Sequence, residues 1–124
     1  MKVQLTPATL QEINVLRSSG YKGAGFLLGR TIGRFIIIEQ LLSLDFKREN
    51  GDEIYRSVCA SYRRRLQGVF FCRRRPFVLD WFLRDLVMVI GGDQIEIRGC
   101  EFSDQKRKAL LVPLVEDKEE QWPN

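Results

Sequence analysis

The sequence predicts an α+β domain in which two main helices flank one mixed, largely antiparallel β-sheet. Two observations lead to this class. Apolar residues recur at helical spacing in two segments, and short apolar runs bounded by glycines or charged turns occupy most of the remaining chain. With 124 residues, of which 44% are hydrophobic, the chain is long enough for one domain with a core. We therefore assign residues 1–115 to a single domain and the acidic residues 116–124 to a flexible C-terminal tail.

The first helix is predicted over residues 7–18, directly after a short strand at residues 3–5. Thr6 suits the N-cap, and Pro7 suits the first helical position, where its missing N–H is not needed. Gly20 suits a left-handed C-cap. The apolar stripe of this helix consists of Leu10, Ile13 and Leu16.

A β-hairpin is predicted next. Residues 23–30 form an apolar run bounded by glycines, which is typical of a buried strand, and residues 34–42 are rich in β-branched side chains. Residues 31–33 supply the turn between them. The glycines are not a dinucleotide-binding fingerprint, because they lie inside a strand and no helix follows.

The second helix is predicted over residues 52–65 and leads into an apolar strand at residues 67–72. Its acidic first turn and the arginines at 63–65 in its last turn would complement the helix dipole. The apolar face repeats every four residues, at Ile54, Val58 and Tyr62.

The C-terminal half is predicted to be mostly strands. The expected elements are a short helical turn at 80–84, strands at 86–90 and 94–98 around a tight turn at 91–93, a charged turn at 104–108 and a last strand at 109–115. Pro113 places part of that last strand at a sheet edge or a strand end.

Composition excludes several classes of site. The chain has no histidine, so it has no His-dependent triad, no His general base and none of the common His-containing zinc sites. Cys59, Cys72 and Cys100 are widely spaced and odd in number, which favours buried thiols over a disulfide framework. No stretch reads as a membrane span or a signal peptide, so we expect a cytoplasmic location and no membrane partner.

Charge is concentrated around the strand at 67–72. Arginine triplets occupy residues 63–65 and 73–75, on either side of that strand. The second triplet interrupts an apolar run and precedes Pro76, so it marks an exposed loop. Such clusters indicate either an anionic partner or an ordinary solvated surface.

The order of elements and three local motifs resemble the JAB/MPN domain, whose catalytic members are the JAMM metalloproteases. Residues 25–30, with Gly33 and the strand 35–38, look like the first glycine-bounded hairpin of that family. The helix 52–65 and the following Gly68-Val69-Phe70-Phe71 look like its helix and the strand that leads to the active site. Residues 73–76, a five-residue spacer, Phe82, two residues and Asp85 look like the H-x-H-P, spacer, S-x-x-D motif.

The resemblance implies a degenerate member. In active members two histidines and an aspartate bind zinc, a glutamate is the general base and a serine assists. By position the histidines fall on Arg73 and Arg75, the glutamate on or near Lys22, the serine on Phe82 and the aspartate on Asp85. Arginine has no lone pair for a metal, so we expect no metal, no cofactor and no hydrolysis.

Cationic side chains are expected to replace the metal. Arg73, Arg75 or Lys22 would then pair with Asp85, since an arginine–carboxylate pair can orient a loop. The alternative is that Asp85 caps local backbone or faces water.

Three functions remain open from the sequence. The first is a non-catalytic scaffold that binds a protein partner or a second copy of itself. Its expected surface comprises Arg73, Arg74, Arg75, Phe77 and Trp81, unless Trp81 and Phe82 instead fill the space of the lost site. The second is binding of a phosphate-bearing ligand or nucleic acid through the arginine-rich loop and the helix end, although no nucleic-acid motif is present. The third is a reactive Cys72 with a pKa lowered by the arginines, against the alternative of a structural thiol.

Overall fold

The computed structural model describes residues 2–77, 86–91, 95–103, 106–111 and 114–115. In these ranges the chain forms two helices and eight strands. Their bounds are β1 Lys2–Leu5, α1 Pro7–Ser19, β2 Gly23–Ile32, β3 Phe35–Leu42, α2 Gly51–Tyr62, β4 Leu66–Cys72, β5 Leu86–Ile90, β6 Ile95–Ser103, β7 Lys106–Leu111 and β8 Leu114–Val115.

All described strands belong to one sheet with the order β7-β6-β5-β4-β2-β3-β1-β8. The pairs β1–β3, β1–β8 and β4–β5 are parallel. The pairs β2–β3, β2–β4, β5–β6 and β6–β7 are antiparallel. The predicted α+β class, with a mixed sheet and two helices, is therefore confirmed.

The two helices cover opposite faces of the sheet. Side chains alternate along a strand, so Phe70 of β4 faces the cluster that contains Ile13 of α1, whereas Phe71 faces the cluster that contains Val58 of α2. Both phenylalanines and both helix residues are buried. The core thus consists of two apolar layers, one on each side of β2 and β4.

The helix α1 has the N-cap and the C-cap that the sequence predicts. Thr6 Oγ1 accepts a hydrogen bond from the N–H of Thr9 at 3.1 Å, and Gly20 adopts a left-handed φ of 72° at the C-cap. The helix also covers β3 from Ile38, where the pairing with β1 ends, to Leu41. There Thr9 Oγ1 donates to the carbonyl of Ile38 at 2.9 Å, and Glu12 Oε2 accepts from the N–H of Leu41 at 3.1 Å.

The second helix is shorter than predicted. It ends at Tyr62 with Arg63 as the C-cap residue, so the prediction that the arginines at 63–65 form its last turn is wrong. The reason is tertiary. The N–H of Arg65 donates to the carbonyl of Tyr62 at 2.9 Å, while the carbonyl of Arg65 accepts from the N–H of Gly29 at 2.7 Å. Pairing with β2 draws Arg65 out of the helix and towards the sheet.

Several strand boundaries also differ from the prediction, and β6 extends to Ser103 rather than ending at residue 98. The strand β2 continues to Ile32, and the turn is made by Gly33, with a φ of 58°, and Arg34. The charged residues 106–108 form part of β7 rather than a turn, and the predicted last strand is divided between β7 and β8. Both β7 and β8 lie at sheet edges, where charged residues are tolerated because one side of the strand faces solvent. The helical turn predicted at 80–84, Pro113 and the tail lie outside the described residues.

Within the described ranges, neither helix has the length and apolar character needed to cross a membrane.

Candidate functional site

The candidate site lies where β4 ends beside the start of β2. Cys72 pairs with Gly23, so the residues that follow β4 meet those that precede β2. The link between β3 and α2, residues 43–50, contributes Phe46 to the core beside them. We call residues 73–77 the arginine loop.

Arg73 is held both by its backbone and by its side chain. Its N–H donates to the carbonyl of Ile90 at 3.0 Å, next to the β4–β5 pair, and its φ of 51° is left-handed. Its Nη2 donates to the carbonyl of Arg17 at 2.7 Å, in the last turn of α1. Because carbonyls at a helix C-terminus carry partial negative charge, this guanidinium acts as a cationic cap for α1.

Arg74 attaches the loop to the 43–50 link. Its Nη1 donates to Asp45 Oδ1 at 2.6 Å and to the carbonyl of Phe46 at 2.8 Å. The same carboxylate oxygen accepts the N–H of Ala24 at 2.9 Å. Asp45 therefore joins the link, β2 and the arginine loop. Sequence reasoning missed Asp45, because nothing local relates it to an arginine 29 residues later.

Phe77 is half-buried and enclosed by rings and cations. Its ring centroid lies 5.7 Å from that of Phe46 and 5.1 Å from that of Phe71. The guanidinium carbons of Arg48 and Arg74 lie 5.1 Å and 5.8 Å from its centroid. These cation–π distances and ring contacts fix the C-terminal end of the loop. Arg48 is a second residue that the sequence did not single out.

Lys22 and Arg75 are exposed, and neither side chain has an ion pair or hydrogen bond to another described residue. Trp81, Phe82 and Asp85 lie outside the described residues, so the pairing of Asp85 with a cation stays a prediction. The next described residue, Leu86, pairs with Gly68 near the start of β4, whereas Arg73 follows the end of that strand.

Cys72 is fully buried, and burial raises the pKa of its thiol, although Arg73 opposes the shift. The net direction is therefore opposite to the lowered pKa expected of a reactive thiol, because desolvation outweighs the field of Arg73. This thiol is a structural group in the described part of the site.

Tyr21 lies beside Cys72 and Asp45. Burial, followed by the negative charges of Asp45 and Cys72, raises the pKa of the Tyr21 hydroxyl, while the Ser43 hydrogen bond and Arg74 oppose this. The hydroxyl also explains Gly23, since a Cβ at that position would lie 2.5 Å from the Tyr21 oxygen.

The two arginine triplets do not form one patch across the ends of β4. Residues 63–65 precede this strand and residues 73–75 follow it. A seven-residue strand spans about 23 Å. Of the first triplet, Arg65 donates to the neutral Gln40 Oε1 at a long 3.4 Å.

No protein-family model and no curated protein matches this chain. Its fold is similar to the solution structure of protein DSY2949 from Desulfitobacterium hafniense, with a TM-score of 0.57 and 15% sequence identity. The match covers 96% of this chain and 97% of that one. At this identity the similarity shows a shared fold alone.

Proposed function

We propose that this chain is a catalytically inactive JAB/MPN-like domain that binds a protein partner through the arginine loop. The observation that carries the proposal is the position of the Arg73 guanidinium. By the resemblance, Arg73 replaces the first metal-binding histidine, and here its Nη2 donates to the α1 carbonyl of Arg17 at 2.7 Å. A cation at this position supports the fold in place of metal chemistry.

The residues at the resembling positions do not fit a zinc ion. Arg73 and Arg75 stay protonated and have no lone pair to donate, and Lys22 is a cation where a carboxylate base would be required. Catalytic zinc needs about three protein ligands. We therefore derive no hydrolytic step for this site.

The arginine loop is suited to recognition because part of it is anchored to neighbouring residues while another part exposes positive charge to solvent. Arg74 and Phe77 anchor it to Asp45 and Phe46. A surface that is already ordered loses less conformational entropy when it binds. Arg75 and Lys22 remain exposed beside these anchors, and arginine is enriched at protein interfaces. The partner is either a second copy of this chain or another protein with an acidic surface.

Charge reversal at the exposed arginine tests this proposal. Arg75→Glu should abolish partner binding while leaving the fold intact, because Arg75 has no described partner of its own. Arg64→Glu, in the other triplet, is the matched control. Self-association is measured by size-exclusion chromatography with light scattering. Other partners are measured by quantitative affinity capture from nuclease-treated extract, since nuclease removes complexes bridged by nucleic acid.

We expect the complex to be retained by the wild type and by Arg64→Glu, and lost by Arg75→Glu. Equal binding by all three proteins would contradict the proposed surface. Stoichiometric zinc in the purified protein, measured by atomic emission, would contradict the inactive assignment.

A further inference from the structure

The end of the sheet opposite the arginine loop carries a second basic surface. The start of β4, the end of β2 and the starts of β3 and β1 all lie at this end, because Leu28 pairs with Leu66 and Phe35 pairs with both Ile32 and Lys2. Six exposed cations lie here, and we call them the basic row: Lys2, Arg30, Arg34, Arg63, Arg64 and Arg65.

The basic row follows the order of the strands. The carbonyl of Arg65 accepts from the N–H of Gly29, which precedes Arg30, and the carbonyl of Arg34 accepts from the N–H of Lys2 at 3.0 Å. Neighbouring strands are about 4.8 Å apart, so four successive strands extend over about 14 Å across the sheet. Along the strands, Arg34 lies about 10 Å beyond the level of Arg30, which pairs with Ile37. Arg63 and Arg64 lengthen the row on the α2 side.

These charges are poorly neutralised. Among the described residues, the carboxylate that forms an ion pair with the row is that of Glu39, whose Oε2 lies 3.6 Å from Arg30 Nε. No described residue accepts a hydrogen bond from the side chains of Arg34, Arg63 or Arg64. Arg73 and Arg74 differ, since protein oxygen atoms already occupy their guanidinium groups.

The chemistry of the row favours phosphate over a protein surface. The centre of a protein interface is usually apolar. Among the described residues near the row, the large hydrophobic side chain that is exposed is Ile32, at 38%. Five of the six cations are arginines, whose planar guanidinium groups can bind phosphate oxygens in a bidentate manner. Several exposed arginines spread over one end of the sheet suit a ligand that carries several anionic groups.

We propose that the basic row binds the phosphate backbone of a nucleic acid without reading its bases. This binding site differs from the arginine loop in both position and ligand. A fluorescently labelled twenty-nucleotide oligothymidylate and a duplex of the same length distinguish a single-stranded from a double-stranded ligand. Binding is followed by fluorescence anisotropy from 50 to 200 mM salt.

For about four phosphates contacted on a single strand, the slope of log K against log salt is near −2.8, or about a 50-fold loss of affinity over this range. The triple variant R34S/R63S/R64S should weaken binding at 50 mM salt at least tenfold and flatten the slope. The variant K22S/R75S, which removes two exposed cations at the other end, should bind like the wild type. Thermal unfolding checks that both variants keep the fold.

The proposal fails if neither oligonucleotide binds at 50 mM salt, or if K22S/R75S loses as much affinity as the triple variant. It also fails if poly-glutamate or phosphatidylserine vesicles compete as well as the oligonucleotide at equal charge, because the row would then recognise negative charge in general.

Discussion

Two identical triplets of arginine flank the same strand, yet they occupy different environments. Arg73 and Arg74 contact the carbonyl of Arg17, the carboxylate of Asp45 and the carbonyl of Phe46. In the triplet at 63–65, the Arg65 side chain donates a hydrogen bond to the neutral amide of Gln40. The side chains of Arg63 and Arg64 donate to no described acceptor. The difference shows that the neighbouring elements, rather than the local sequence, decide whether an arginine is structural or available.

The acceptors come from segments distant in the chain. At the arginine loop, the C-terminus of α1 and the 43–50 link converge on the end of β4, and both present oxygen atoms. At the start of β4 the neighbours are the second half of β2 and the end of α2, which contribute more cations. The predictions below test this contrast, from the largest expected effect to the smallest.

Replacing Phe46, whose ring packs against Phe77 of the arginine loop, should have the largest effect on stability. Phe46 is 1% exposed and contacts the rings of Phe26, Phe71 and Phe77. Phe46→Ala should lower the free energy of unfolding by about 3–5 kcal/mol, because it removes buried area and leaves a cavity. Leu44→Ala, on the same link but exposed, should change it by less than about 0.5 kcal/mol. Urea unfolding measures both variants, and similar losses would show that Phe46 does not anchor the link.

The two triplets should respond differently to alanine. Arg74→Ala removes two charge-assisted hydrogen bonds and a cation–π contact, so we expect a loss of about 1–2 kcal/mol in unfolding free energy, reduced by partial exposure. Arg64→Ala, at the equivalent central position, should lie within about 0.5 kcal/mol of the wild type. If the two variants are equally stable in urea titrations, the structural distinction between the triplets is wrong.

The left-handed backbone at Arg73 gives a test that separates backbone from side chain. Both Arg73→Ala and Arg73→Gly lose the hydrogen bond to Arg17. Glycine adopts a φ of 51° without steric cost, so the glycine variant should be more stable than the alanine variant by about 1 kcal/mol. Alanine is ordinarily the more favourable of the two. Finding that usual order in thermal unfolding would rule out a strained backbone at this position.

Alkaline pH should lower the free energy of unfolding through the titration of Tyr21 and Cys72. The pKa of Tyr21 is raised from 10.0 and that of Cys72 from 9.0, so the folded state holds both protons more tightly than the unfolded state. Their contribution to stability is complete below pH 9 and is lost as pH rises through the folded pKa values. Tyr21→Phe should therefore flatten the part of the fall in unfolding free energy that begins near pH 10, measured by urea unfolding at several pH values. An unchanged slope would mean that Tyr21 does not titrate with folding.

Local sequence determined much of the scaffold. The caps of α1, the hairpin of β2 and β3, the strand β5 and the two helices on a mixed sheet were predicted correctly, because caps and hydrophobic periodicity act over a few residues. The end of α2 was predicted three residues late, since only pairing with Gly29 draws Arg65 towards the sheet.

Tertiary structure alone decided the roles of the arginines. The contact of Arg74 with Asp45 joins residues 29 positions apart, and that of Arg73 with Arg17 joins residues 56 positions apart. The sequence showed two triplets of equal charge, and it correctly placed them at opposite ends of one strand. Whether an arginine side chain is held depends on the oxygen atoms that the fold brings within hydrogen-bonding distance. A guanidinium group gives up its bound water only where a protein acceptor can replace it.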